Sequence, residues 1–282
     1  MVNGIIWLAS YPKSGNTWLR VFIENLFRNT VKPAGINDLG IVKYGDNMYS
    51  LYERVASRKL TGASDAEFHQ LRGPVQKFLA SQPETTIVKT HNALITHEGA
   101  PLIHLEYTAG AVYLLRNPFD MVVSMAHHYR TSYDDAIRGI ASSNHHTPTT
   151  PAAIFQILGG WTNHHRSWFG VDNFSPLLLR YEDMVRSPMK VFGRFMRYLG
   201  LPKNPERLKR AIQNSSFTVV ERQEREGGFK ERVHADHKFF RAGGVGHYRD
   251  VLDDRQIGRI IDAHGELLIE QGYINKSGRP KV

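Results

Sequence analysis

Ile5-Ile6-Trp7-Leu8-Ala9-Ser10-Tyr11-Pro12-Lys13-Ser14-Gly15-Asn16-Thr17-Trp18 is the stretch on which the fold turns. Its first five residues are apolar and β-favouring with no polar alternation, the pattern of a strand buried on both faces. Pro12 has no N–H to give to a sheet ladder, so the strand ends at Ser10-Tyr11. Past the turn, Trp18, Leu19, Phe22, Ile23, Leu26 and Phe27 recur at helical spacing. The unit reads strand, tight loop, helix.

Outward from this unit the alternation recurs without an internal sequence repeat. Thr86-Ile87-Val88-Lys89, Val112-Tyr113-Leu114-Leu115 and Leu177-Leu178-Leu179 are further strand candidates, and Asn117-Pro118 stops the second of these three. Helical spacing covers 120–129 behind that stop, and also 65–80, 151–168, 188–199, 205–213 and 254–270. Strands alternating with helices predict an α/β fold around a parallel sheet. No Pro- or Gly-rich linker divides the chain, so a single domain over 1–282 is expected. The stretches 130–150 and 218–246 fit neither pattern, and at that length they read as lids or binding loops.

The 282 residues are 41% apolar and 22% charged, an ordinary balance for a globular chain with a sizeable core. Thirty-six Lys and Arg against 27 Asp and Glu give a formal charge of +9. That favours anionic ligands without choosing among nucleic acid, acidic membrane and a multiply phosphorylated nucleotide. The lack of cysteine excludes disulfides, thiolate metal sites and a cysteine nucleophile. MVNGIIWLASYPKSG has no basic leader region and its apolar run is too short for a membrane span, so a soluble, cytoplasmic protein is expected.

In open parallel sheets ligands bind beyond the carboxyl ends of the strands. The polar residues there are Lys13-Ser14-Gly15-Asn16-Thr17 after the first strand, Lys89-Thr90-His91 at the second, Arg116 after the third, and Arg180-Tyr181-Glu182-Asp183 after the fourth. The first loop has what an anion site needs: a glycine for close backbone approach, two hydroxyls, a lysine and a helix N-terminus. It is not a Walker A loop, because G-x-x-x-x-G-K-[ST] is absent and the lysine precedes the glycine. Taken alone, the loop is also readable as a plain strand-to-helix turn with an exposed lysine.

Taken in order, these segments resemble the cytosolic-type sulfotransferases that use 3′-phosphoadenosine 5′-phosphosulfate. Tyr11 to Trp18 is similar to the family's first motif, Lys89-Thr90-His91 to the segment carrying its catalytic histidine, and Tyr113 to Pro118 with Ser124 to its 3′-phosphate motif. Tyr181-Glu182-Asp183-Met184, Ser215-Ser216-Phe217 and Phe240-Arg241-Ala242-Gly243 resemble later family segments, so the resemblance runs from about Ile5 to Tyr273. It implies an α/β sulfotransferase fold akin to that of P-loop NTPases, with a central parallel sheet flanked by helices. Ser14, Gly15, Asn16, Thr17 and Trp18 would hold the 5′-phosphosulfate, and Arg116, Ser124, Arg241 and Gly243 the 3′-phosphate. Trp18, Tyr181, Ser215 and Phe217 would surround adenosine. The donor carries about four negative charges near neutral pH, which suits converging cations.

The implied chemistry is in-line transfer of a sulfuryl group to a hydroxyl or amine. His91 would act as general base, Lys13 would stabilise the leaving phosphate and Lys89 the sulfuryl oxygens, and no metal is required by this scheme. Where the family commonly has Arg-Lys-Gly, this chain has Arg241-Ala242-Gly243, with Arg249 or Arg222 as candidate substitutes for the missing cation. Ala9-Ser10-Tyr11-Pro12-Lys13 also resembles bacterial members that modify secondary metabolites, leaving alcohol, phenol, lipid and glycopeptide acceptors open. A homodimer is left open too.

Other signals point less far. The pairs His127-His128, His145-His146 and His164-His165, with His234 and His237, lack H-E-x-x-H spacing and read as surface or acceptor-loop residues rather than a metal site. Glu221 to Arg232 alternates in sign and reads as a solvated helix or lid rather than a nucleic-acid patch. The rival readings are a non-catalytic nucleotide-binding module on the same fold and a basic RNA-binding protein.

Overall fold

The buried strand at the N-terminus is the centre of a five-stranded sheet. In the computed structural model, which describes residues 4–232, 234, 236 and 238–282, the first elements are β1 (Ile5–Ser10), α1 (Asn16–Arg28), β2 (Tyr44–Gly45), α2 (Tyr49–Ala56), α3 (Asp65–Ala80) and β3 (Thr86–Thr90). There follow β4 (Thr96–His97), β5 (Ala100–Pro101), β6 (Thr108–Leu115), α4 (Pro118–Tyr129), α5 (Tyr133–Ala141), β7 (His146–Thr147), β8 (Gln156–Ile157) and α6 (Trp161–Phe169). The last part holds β9 (Leu177–Arg180), α7 (Tyr181–Arg186), α8 (Pro188–Tyr198), α9 (Pro205–Asn214), α10 (Phe217–Gly227) and α11 (Asp254–Glu270).

The chain divides into two compact units, one of Met1–Tyr11, Val42–Leu114 and Ser142–Leu178, the other of Pro12–Ile41, Leu115–Ala141 and Leu179–Val282. In the first, the sheet order is β2-β3-β1-β6-β9, and β1 pairs parallel with β3 and with β6, aligning Leu8 with Lys89 and with Val112. Ile5, Trp7, Leu8 and Ala9 are all fully buried, as the unbroken apolar run requires. Trp7 Nε1 donates to Thr108 Oγ1 at 2.9 Å, which satisfies its one polar atom. Helix α3 packs on β1, and α6 sets His165, Trp168 and Phe169 around the Tyr113 ring of β6.

The second unit is mostly helical. The apolar stripe of α1 is buried, Phe22 stacks on Phe192 of α8 at 3.9 Å, and Val21 joins a cluster with Ile36, Val220, Phe229 and Phe240. Asp253 and Gln256 form a capping box that starts α11. Among the described residues no helix is long and apolar enough to cross a membrane.

Helix 151–168 is a correction, since only Trp161–Phe169 is helical. Pro151 and the Gly159-Gly160 pair break the pattern, with Gly159 at φ 63°, and Gln156–Ile157 pairs with His146–Thr147 instead. Helices α2 and α5 were not expected. On α5 the stripe Ala136, Ile137, Ile140 was available in the sequence, obscured by the polar residues around it.

Candidate functional site

The turn that opens the second unit has the backbone of an anion cradle. Lys13 lies at φ 68° and Gly15 at φ 99°, with Ser14 between them outside the left-handed region. Such alternation turns consecutive N–H groups to one concave side. Helix α1 starts at once at Asn16 with no acidic residue in its first turn. The N-terminal end of its dipole, and the N–H groups of its first turn, therefore suit an anion with no competing carboxylate in that turn. The glycine is needed twice over, because a Cβ at Gly15 would also come within 2.8 Å of Tyr181 Cδ2.

Arg116 is fixed against this loop. Its Nη1 donates to the Lys13 carbonyl at 3.1 Å and its guanidinium lies 4.4 Å over the Tyr181 ring. Trp18 meets Tyr181 and Phe192 edge-on at 5.6 and 5.9 Å. The buried Arg116 Nε and Trp18 Nε1 have no hydrogen-bond partner among the described residues. Lys13 Nζ sits 4.1 Å from the centroid of Phe239. Ser14 is buried with its hydroxyl on Met121 Sδ at 3.7 Å, Asn16 is buried, and Thr17 is half-buried. Ser124 is half-buried on α4.

Phe217 begins α10, and Gly243, at φ 61°, lies flush on its ring: an added Cβ would be 2.2 Å from Phe217 Cδ2. Ser215 is fully buried and donates its hydroxyl to Ala211 O at 2.8 Å, so that hydroxyl is engaged within its own helix end. Arg241, Ala242 and Arg249 are exposed, as is Arg222.

Three acidic residues to which sequence reasoning gave no role hold this frame. Glu182, fully buried, accepts from the Asn117 N–H at 2.9 Å, from Asn117 Nδ2 at 2.8 Å and from the Tyr273 hydroxyl at 2.9 Å. Asp120 accepts from the backbone of Gly246 at 2.8 Å and Tyr248 at 3.0 Å. Glu224 accepts from the N–H groups of Phe239 and Phe240 at 2.7 and 2.8 Å. Glu224 is 5% exposed, which corrects the reading of its helix as merely solvated. Glu182→Ala would leave the Asn117 amide and the Tyr273 hydroxyl unsatisfied, each worth about 1 to 3 kcal/mol. We expect urea unfolding to show a loss of about 2 to 6 kcal/mol.

In the first unit, His91 follows the end of β3 and is held on several sides. Its Nδ1 lies 2.7 Å from the Ser10 carbonyl. A carbonyl can only accept, so Nδ1 carries the proton and Nε2 bears the lone pair of the neutral ring. Its own carbonyl accepts from His164 Nε2 at 3.0 Å, and His164 Nδ1 in turn takes the Tyr113 hydroxyl at 2.8 Å. On either side, Thr90 and Asn92 both donate to Asp46 Oδ2, at 2.8 and 2.7 Å, while Gln156 reaches Oδ1 at 3.2 Å. Burial pushes the Asp46 carboxyl up. Lys89 is half-buried within β3.

His164 and His165 are buried, which corrects their assignment to the surface; the first bonds as above and the second stacks on Phe169 at 4.6 Å. Among the described residues no group of three or more His, Asp or Glu is placed to hold a metal, and His237 lies outside those residues. Burial lowers both His164 and His264 to about 4. Between pH 6.5 and 4 the unfolded chain therefore binds protons that the folded chain refuses. The stability due to neutral burial is complete above pH 6.5 and lost as pH falls toward 4, by about 3 kcal/mol per histidine. Denaturant midpoints measured across that window should fall, and Tyr113→Phe should leave the His264 part of the fall in place.

Residues 4–271 match the family model described as the sulfotransferase domain. Sulfotransferase 1B1 of Canis lupus familiaris is 26% identical over 216 residues, covering 76% of this chain. The match spans 65% of that relative's length, just under two thirds. Cytosolic sulfotransferase 1 of Arabidopsis thaliana is 24% identical, with 94% of this chain and 77% of the relative covered. Among solved structures, a mouse sulfotransferase complexed with PAP superposes with a TM-score of 0.59 at 21% identity, covering 98% of this chain and 87% of that one. Retinol dehydratase, in complex with androsterone and inactive cofactor PAP, gives 0.63 at 20% identity, covering 95% and 81%. These likenesses support the parallel five-stranded sheet flanked by helices. A family match over nearly the full length, on a frame with a cradle at the first strand-to-helix turn, means that the chain belongs to the sulfotransferase-domain family.

Proposed function

We propose that this protein transfers a sulfuryl group from 3′-phosphoadenosine 5′-phosphosulfate to a hydroxyl or amine of a small acceptor. The observation that carries the reading is the left-handed Lys13–Gly15 cradle at the start of α1 with Arg116 bonded across it. PAP, the 3′,5′-bisphosphate of adenosine, is the ligand named for both structural neighbours, and the residues here fit such a group. Two buried donors, on Arg116 and Trp18, lack a partner among the described residues, and an anionic nucleotide would supply one. Gly15 and Gly243 keep the loops flush against Tyr181 and Phe217, where a side chain would intrude.

In this reading Ser14, Gly15, Asn16, Thr17 and Trp18 bind the 5′ end. Arg116, Ser124, Arg241 and Gly243 bind the 3′-phosphate, and Trp18, Tyr181, Ser215 and Phe217 enclose adenosine. The donor supplies, when bound, a sulfuryl group on a phosphate leaving group. His91 Nε2 takes the acceptor proton, its orientation set by the Nδ1–H bond to Ser10. Lys13 opposes the negative charge that develops on the bridging oxygen, and Lys89 that on the sulfuryl oxygens. Ser10, which His91 grips, is three residues from Lys13 along the chain.

The test is radiolabelled sulfate transfer to a panel of phenols, alcohols and amines, run beside calorimetric binding of adenosine 3′,5′-bisphosphate. Labelled product with saturable nucleotide binding is expected. Nucleotide binding with no transfer to any acceptor would identify a binding module instead, and no nucleotide binding would refute the site itself.

A further inference from the structure

Most of the chain's excess positive charge lies in one short segment. Residues 186–210 carry eight Lys and Arg against one acid, Glu206, a net of +7 out of +9 for the whole chain. This segment comprises the end of α7, all of α8 and the first half of α9. Val191, Phe192, Phe195 and Met196 of α8 are buried, with Phe192 and Phe195 against Phe22 and Phe192 also against Trp18. At 100° per residue, Lys190, Arg194 and Arg197 point within roughly 60° of one another on the opposite side. All three are exposed, as are Arg186, Lys203 and Lys209. None of these six has a carboxylate within ion-pair distance among the described residues, so the charge is not neutralised locally.

Apolar side chains sit beside the same stripe. Val185, Met189 and Tyr198 are 37%, 45% and 36% exposed, and Met189 and Tyr198 flank the cations of α8 on either side. We propose that this face docks on an anionic lipid bilayer, with the cations at the headgroups and Met189 and Val185 dipping toward the acyl boundary. Nucleic acid is the other polyanion that a basic face suits. Stacking on bases calls for aromatic planes, however, and two of the three exposed apolar groups are aliphatic. Docking is peripheral: the apolar face of α8 stays in the protein core, and binding rests on charge with a small apolar addition. The inner side of the same helix touches Trp18, so the docked bilayer surface lies about one helix diameter, roughly 10 Å, from the cradle loop.

The experiment is co-sedimentation of the full chain with vesicles of phosphatidylcholine alone or mixed with phosphatidylglycerol, at low and at physiological salt. Binding to the mixed vesicles alone, weakening as salt rises, is expected. Each Lys or Arg near such a surface contributes about five-fold. The triple variant Lys190→Glu, Arg194→Glu, Arg197→Glu should therefore bind at least about 100-fold more weakly. Its thermal midpoint and its affinity for adenosine 3′,5′-bisphosphate, measured alongside, should match the parent, which separates loss of docking from loss of fold or of the nucleotide site. Met189→Ser should reduce the part of binding that salt leaves behind. Equal binding to neutral vesicles, no binding at low salt, or retention by the triple variant would overturn the proposal. So would RNA binding that needs the same three cations and that anionic vesicles fail to displace.

Discussion

Replacing His91 by alanine is expected to lower the rate of sulfuryl transfer by about a hundred- to ten-thousand-fold, while adenosine 3′,5′-bisphosphate binds as before. The size follows from the usual contribution of a positioned base, and the selectivity follows from placement. The groups proposed to bind nucleotide all lie in the second compact unit, whereas His91 and the side chains that hold it lie in the first. The tautomer sharpens the expectation. With Nδ1–H donated to Ser10 O, the lone pair is on Nε2, and glutamine at position 91 would present no equivalent base. His91→Gln should therefore fail as badly as His91→Ala in single-turnover measurements. A variant that turned over at near-parental rate with normal donor binding would remove His91 from the mechanism.

Gly243→Ala is expected to weaken nucleotide binding by about 2 to 4 kcal/mol with a much smaller effect on turnover at saturating donor. Two independent strains add at this position. A φ of 61° is costly for any residue with a side chain, and the new Cβ would come within 2.2, 2.3 and 2.6 Å of three Phe217 ring atoms. One of these is Cγ, the root of the ring, so a small rotation of Phe217 does not relieve the clash. The double variant Gly243→Ala, Phe217→Ala separates the strains. Removing the ring should recover part of the affinity lost at position 243, and the remainder measures the backbone term. If the double variant bound no better than the sum of the two single losses predicts, the contact between loop and ring would not be what Gly243 serves.

What the sequence made legible was set by periodicity and punctuation. Ile5 to Ala9 read as a strand buried on both faces, and the helical spacing over 65–80 matches the α3 boundaries at Asp65 and Ala80. Residues 151–168 misled because Ile154, Phe155 and Trp161 keep an apolar rhythm through Pro151 and two glycines, and here the backbone breakers outweigh that rhythm. The carboxylates were harder to see. Nothing in the sequence marks Asp46, Asp120, Glu182 and Glu224 as buried, and their partners include backbone amides and amide side chains as far as 128 residues away. Such bonds leave no local spacing to read, because a buried acceptor needs donors and any residue can supply a backbone N–H. His164 was missed for the same reason: its neighbours Tyr113 and His91 come from other elements.

The bonds from Glu224 to two successive amides tie Phe239 and Phe240 to α10. Phe239, over Lys13, and Gly243, on Phe217, therefore lie on one short segment anchored to that helix. A substitution that tilts α10 would then be felt at both ends of the proposed nucleotide site at once. On the proposed function, sequence change along α10 is therefore constrained by the nucleotide site at two places rather than one.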